Sequence, residues 1–532
     1  MILFKNARIW LGEGRIGSWM LVDQDAGKIV GCGDREAPEA TGDVRDVKGR
    51  WIFPGFHDSH IHASWHGKLL RSKWNLKFPK TVKELQLRLK AAIDGDDSKG
   101  WIEGFNWDHE FMDRIPTKED IDEVIPDRPV FLNRVCFHII VANSKALEVA
   151  KITNDIKDPD NGHLDRYPLG HHLAGQLTGV LREDGGVQLV TNVVPPESSE
   201  EKKKNILAGL DDCLKNGITS VHSIERRHWN EYAELAKEGS LPIACYIAPW
   251  YTDMGSPNFP QTLDESYKNL SCDCIKVFLD GALGTNTAAI SKPYLSLLDG
   301  KENYGVVLQN REQLAKILQI IDDKGYRPEL HVIGDRAVDI ALDCLEKVKI
   351  SPDKRPVFVH CQILRHDLLN RMRACGVTPT LQPSFVVTDS VWIRDKLPPA
   401  LFECIYPWKT LMNNGIVCGG SSDGPVESIN PLYGMFDAIF RTDQKSNSSF
   451  IPSECLTFEE ALNLYTTGSA YVDKAETFKG KIAEGFQADF VVLDVPLEND
   501  GVPFNLPENP QVLKDVKICE VWVAGKCIFM VQ

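Results

Sequence analysis

The chain has 532 residues with 43% hydrophobic and 25% charged content, a balance expected of a soluble globular protein large enough for one big domain and a smaller one. Lys and Arg together number 60 and Asp and Glu 75, so the formal charge of −15 argues against nucleic acid or an anionic membrane surface as a partner, since both need basic patches. No apolar run reaches the roughly 18 residues of a membrane span, and Met1 to Arg8 lacks a cleavable apolar core, so a cytoplasmic protein is expected.

Residues 1 to about 50 alternate apolar and polar positions in short runs (Ile2, Phe4, Ala7, Ile9; Trp19, Leu21; Ile29, Val30) punctuated by glycines, the texture of a small antiparallel sheet. Ala488 to Asp494, Val516 to Val523 and Lys526 to Val531 repeat that texture at the other end. One sheet domain built from both termini is expected, with the middle of the chain inserted into it.

The middle alternates strand and helix patterns, as in a parallel sheet covered by helices. The expected strands end at His60-Ile61-His62 and run through 218–223, 243–248, 275–280, 329–334, 356–361, 377–382 and 416–423. Eight is the number that closes a (β/α)8 barrel. Helices are expected over 311–324 and 335–348. Residues 70–205 do not fit one strand-helix step. They hold Asn106-Trp107-Asp108, a strand at 129–132 and a loop-rich patch near 158–170, and read as an inserted lid over the active-site mouth.

Fourteen cysteines are scattered, many inside apolar segments (Cys136, Cys245, Cys344, Cys418), which reads as reduced buried thiols rather than a disulfide framework. Cys272-Asp273-Cys274 has no second pair to complete a structural zinc site.

Polar residues sit at the strand ends. His60 and His62, one residue apart, project to one face of a strand anchored by Pro54-Gly55 and can chelate one metal ion. His331 or His360 alone reads as a core histidine; beside the first pair, each reads as a ligand or catalytic group. His222 also ends a strand, and a packing or supporting role stands level with a functional one. Asp423 and Lys276, in apolar or glycine-rich surroundings, need a partner of opposite charge.

This array resembles the amidohydrolase superfamily, and within it the YtcJ-like branch that includes N-substituted formamide deformylases. The similar motifs are Pro54 to His62, Lys276 to Gly284, His331 to Ala337, Val359 to Gln362, Ser422 to Glu427 and Gly480 to Gly485, so the likeness spans nearly the whole chain. The resemblance implies an α/β fold: a (β/α)8 barrel over 53–475 carrying the 70–205 insertion, and a β-sandwich from 1–52 and 476–532. It implies a divalent metal, zinc first, as one or two ions held by His60, His62, His331, His360 and Asp423, with Lys276 carbamylated as a bridge. Trp107, Asp108, His138, Asp280 and Arg336 are the expected substrate contacts. Cys361, where the family keeps a small residue, reads as a neutral packing change.

The expected reaction is hydrolysis of a non-peptide C–N bond in a small-molecule amide, formamide or cyclic amide or imide. Metal-activated water attacks, with Asp423 and His360 catalytic and Asp423 moving the proton. A deaminase or ester hydrolase on the same barrel is the nearer alternative, and a non-catalytic scaffold the more distant one, which retention of all the ligands opposes. Exposed sheet edges and a lid are compatible with a homodimer.

Overall fold

The computed structural model describes the chain except residues 40–41, 73, 95–99, 136–137, 161, 261–266, 299, 499–502 and 532 and the side chain of 184, so Cys136 lies outside the described residues. The described chain forms two compact units, Met1–Gly67 with Lys203–Gln532, and Lys68–Lys202.

In the larger unit both termini feed one eight-stranded sheet. Its order is Lys526–Met530, Lys517–Val523, Phe490–Asp494, Trp51–Pro54, Ile2–Gly12, Arg15–Asp23 and Lys28–Gly33, with Asp43–Asp46 beside Ile2–Gly12. Alternation along these strands puts Phe4, Ile9, Met20, Val22, Ile52, Phe490, Val492 and Trp522 into one core. Phe4 and Trp522 lie on strands three places apart, yet their rings meet edge-on at 5.0 Å. A flat sheet would hold such residues about 14 Å apart, so this one curls strongly.

Trp51–Pro54 passes through Gly55 directly into the first of eight parallel strands. We label them β1 (Phe56–Ile61), β2 (Ile218–Glu225), β3 (Ala244–Pro249), β4 (Cys274–Phe278), β5 (Arg327–Val332), β6 (Val357–His360), β7 (Thr378–Leu381) and β8 (Gly419–Gly420). A Cβ on Gly55 would lie 2.4 Å from Thr219 Oγ1 of β2, which is why the crossing point carries glycine. β1, β2 and β3 pair in parallel, and β4 to β8 pair in sequence order in a second parallel sheet. A parallel bridge between Trp250 and Lys276 joins β3 to β4. At the other edge Ser59 Oγ donates to Gly420 O at 2.9 Å, and the Asp423 amide donates to His60 O at 2.9 Å, tying β8 to β1.

The helices between these strands follow from capping and a 3.6-residue apolar repeat. Asn310 and Gln313 form a capping box at the start of Arg311–Asp323, which buries Leu314, Leu318 and Ile321. Asp335–Val348 buries Val338, Ala341, Leu342 and Leu345 in the same way. These helix faces and the strands share the largest apolar core.

The smaller unit, Lys68–Lys202, covers nearly the same residues as the insertion expected at 70–205. It has its own five-stranded sheet, ordered His163–Arg166, Leu177–Arg182, Ile139–Ala142, Val130–Arg134 and Ile102–Trp107. Leu85, Leu89, Trp107, Leu132 and Val141 belong to a core inside this unit. No disulfide occurs among the described residues, whose cysteines are all free thiols. No described helix is long and apolar enough to cross a membrane.

Candidate metal centre

Four histidines and one aspartate meet at the ends of β1, β5, β6 and β8. His60 is the penultimate residue of β1, and His62 lies one residue beyond that strand's end. Their Nε2 atoms each stand 3.3 Å from the same oxygen, Asp423 Oδ1. Asp423 follows β8 with φ 56°, a left-handed turn that brings its carboxylate onto the strand ends while its amide bonds back to His60. His360 closes β6 with φ 81°. Its ring centroid is 5.5 Å from that of His60 and 4.6 Å from that of His331 on β5. Ligand atoms of His60, His360 and Asp423 all lie within 4.8 Å of one another. Lys276, on β4 and 1% exposed, places Nζ 3.4 Å from Glu329 Oε1.

The electrostatics suit a cation. Burial lowers the pKa of His60 and holds that of His331 well below the usual imidazole value, and it pushes His360 down to about 3. Neutral imidazoles keep a lone pair free for coordination. Burial alone would raise the Asp423 carboxyl, but His60 and His62 beside it hold it well below the usual range, as an anion. Burial likewise lowers the Lys276 ammonium, against the opposing pull of Glu329 and Asp423. Imidazole nitrogens with one carboxylate are the donor set that a divalent transition metal takes, so the residues present fit the expected ion.

A sequence model of the amidohydrolase family matches residues 43–529, nearly the whole chain and every residue of this cluster. The chain belongs to the amidohydrolase family. It is 32% identical over 508 residues to YtcJ of Bacillus subtilis, itself provisionally designated an amidohydrolase, covering 91% of this chain and 90% of that protein. It is 24% identical to an N-substituted formamide deformylase of Arthrobacter pascens, covering 93% of each. An uncharacterized metal-dependent hydrolase from Pyrococcus furiosus has a similar structure, with TM-score 0.74 and 28% identity over 93% of this chain and 99% of that one. The protein is therefore a hydrolytic enzyme of the amidohydrolase class, acting on C–N bonds.

Around the cluster, this amidohydrolase carries supports that were not singled out in the sequence. Glu329, 0% exposed on β5, meets His60 Nδ1 at 3.1 Å and His222 Nε2 at 2.9 Å besides Lys276. Burial would raise it, yet Lys276 and His222 keep it well below the usual carboxylate value. Gln382 Oε1 lies 2.9 Å from His360 Nδ1, so an Nδ1–H donated there leaves Nε2 unprotonated. Asp58 accepts from the His60 amide, the Ser422 amide and Ser422 Oγ (2.6 Å), pinning β1 to the turn that carries Asp423. One signal was available: Glu329 precedes His331 by two residues and so shares its face of the strand. Gln382 and Asp58 gave none, since a polar residue next to a strand end is ordinary.

The expected substrate residues fall in both units, and Asp280 Oδ1 lies 3.8 Å from His331 Nε2. In the smaller unit Trp107 is 0% exposed, and its indole N–H donates to Leu132 O at 2.9 Å. Asp108 is paired with Arg134 at 2.7 Å, and His138 Nδ1 lies 3.0 Å from Glu183, about one third exposed. In the larger unit Asp280 is 1% exposed, and its oxygens accept from the amides of Ala289, Ile333 and Gly334 at 2.8–3.0 Å. That carboxylate organises the loops after β4 and β5 rather than facing open space. Arg336 is exposed on the first turn of its helix.

Proposed function

We propose that the protein hydrolyses a non-peptide C–N bond of a small-molecule amide, formamide or cyclic amide or imide. We further propose that β1 to β8 close into a (β/α)8 barrel over residues 53–475, with the curled terminal sheet forming a β-sandwich from 1–52 and 476–532. The Trp250–Lys276 bridge and the Ser59 and Asp423 bonds between β8 and β1 support that closure.

One observation carries the functional reading: Nε2 of His60 and Nε2 of His62 both stand 3.3 Å from a single Asp423 oxygen, and donor atoms of His60, His360 and Asp423 lie within 4.8 Å of one another. His60, His62, His331, His360 and Asp423 would hold the metal, zinc in our reading. Burial lowers the Lys276 ammonium; a lysine amine that gives up its proton can take up carbon dioxide as a carbamate, and Lys276 in that form would be a further anionic ligand for the metal. When bound, the ion supplies a Lewis acid that acidifies water and polarises the scissile carbonyl. Asp423, an anion beside the reacting position, accepts the proton of the attacking water and returns it to the leaving nitrogen. His360, its Nδ1 beside Gln382 Oε1, would have Nε2 free to hold the metal. The formamide deformylase likeness makes N-substituted formamides the first substrates to try.

Elemental analysis of the purified protein tests this reading. We expect one or two equivalents of zinc, lost together with hydrolysis in the His60→Ala/His62→Ala variant. Two equivalents with a lysine carbamate visible by 13C NMR would support the bridged site. Protein that binds no metal under metal-replete conditions sinks the proposal.

A further inference from the structure

His222, inside β2, is 1% exposed and stands between two buried carboxylates. Its Nε2 is 2.9 Å from Glu329 Oε2 and its Nδ1 2.5 Å from Asp473 Oδ1. A neutral imidazole has one N–H and one lone pair, so it can donate to only one of two anions; a ring facing carboxylates on both sides carries both protons. Both carboxylates also have other partners. Asp473 also meets His57 Nε2 at 2.6 Å and Arg327 Nη2 at 3.7 Å. Glu329 also meets His60 Nδ1 at 3.1 Å and Lys276 Nζ at 3.4 Å. Burial disfavours the charged ring, but Asp473 and Glu329 outweigh it and raise His222 to about 10.

We propose that His222 is a positioning residue of the metal centre: a buried imidazolium that holds Glu329 as the acceptor for His60 Nδ1–H, so that His60 presents Nε2 to the ion. This rests on the metal reading above. The chain of contacts runs Asp473, His222, Glu329, His60, and each link joins side chains from different elements. Glu329 has no solvent to turn to, so without the His222 cation its Oε2 has no other donor from the histidines. His60 Nδ1 would then face a carboxylate free to rotate toward Lys276 or to take up a proton. The same geometry argues against a second metal at His222, Cys274 and Glu329, although their donor atoms also lie within 4.8 Å of one another. A ring with both nitrogens protonated has no lone pair to give.

The test is zinc affinity, measured by competition with a chromogenic chelator, for the wild type, His222→Ala and His222→Gln. We expect the alanine variant to bind zinc about 10- to 100-fold more weakly at unchanged stoichiometry, as removal of a ligand's hydrogen-bonded support typically does. The glutamine variant, which keeps one N–H toward Glu329, should recover part of that loss. In 15N-histidine-labelled wild type at pH 8, one ring should show both nitrogens in the imidazolium form. Its signals should be absent from His222→Gln, and this measurement decides the matter if the alanine variant does not fold. Wild-type affinity in both variants, or a neutral His222 at pH 8, overturns the proposal and leaves the metal reading standing. A lost equivalent of zinc would make His222 a ligand and overturns it too. Wild-type protein that shows no His60-dependent zinc uptake removes the metal reading, and this proposal with it.

Discussion

Asp423 is the residue on which the site converges, since one of its oxygens is shared between His60 and His62. Asp423→Asn keeps the shape and one carbonyl oxygen but cannot accept a proton. We expect its kcat to fall roughly 1,000-fold on an identified substrate, within the range for loss of a general base, with zinc still measurable in the folded protein. A carboxylate away from the site makes a separate prediction. Burial raises Asp389 to about 8, although the Tyr406 hydroxyl donates to it. The folded state thus keeps a proton that the unfolded chain sheds near pH 4, so this group's stabilisation is full below pH 4 and is lost as pH rises toward 8. Urea unfolding between pH 5 and 8 should show wild type losing stability relative to Asp389→Asn, by at most about 1.4 kcal/mol per pH unit. A constant difference between the two would refute the assignment. At this scale the sequence exposed residues whose chemistry clashes with their neighbours, such as His60, Lys276 and Asp423 among apolar and glycine positions. It hid Gln382 and Asp58, because their roles depend on partners reached only through folding.

At the scale of elements, the site's precision depends on where strands stop. His62 is past the end of β1, where a helix, Ala63–Arg71, begins at once. Two side chains on β2 hold that start: the Ala63 amide donates to Ser223 Oγ at 3.0 Å and the Ser64 amide to Glu225 Oε1 at 3.1 Å. Glycines let the same helix press against Ser199–Lys215. A Cβ on Gly67 would lie 1.8 Å from Asn205 O, and one on Gly209 2.0 Å from Ala63 O. Gly67→Ala should therefore destabilise the protein by about 1–3 kcal/mol, read as a lower urea midpoint, and loosen zinc binding through His62. A midpoint equal to wild type would show that the helices can separate freely. The strand positions were legible from short apolar runs, and the two helices at 311–324 and 335–348 from their period. The short β8, only Gly419–Gly420, was not separable from the turn that follows it, because glycines carry no pattern.

For the whole molecule, the terminal sheet is a structural clasp. Phe490–Asp494 pairs with Trp51–Pro54, the strand that leads directly into β1. Phe4, Phe490 and Trp522 form an aromatic cluster, with Phe4–Phe490 edge-on at 5.0 Å and Phe490–Trp522 stacked at 5.4 Å. Phe490→Ala should cost about 3–5 kcal/mol, measured by urea unfolding, because two strands, one from each end of the chain, lose a shared aromatic partner. A change below about 1 kcal/mol would mean that the termini are not coupled through this core.

By itself the sequence determined the alternation of strand and helix, the similar β texture of both termini, and the strand-end histidines and aspartate. These are local signals, set by the period of apolar residues and by polar groups in apolar runs. Only the tertiary structure decided which charges meet. His60 and Glu329 are 269 residues apart, Asp58 and Ser422 364 apart, and His222 and Asp473 251 apart. Such partnerships depend on which strands become neighbours, and no local pattern encodes that. The same reason hid the burial of Trp107 and Asp280, 0% and 1% exposed: exposure is a property of the folded surface, while a sequence records only the chemistry a side chain could offer there.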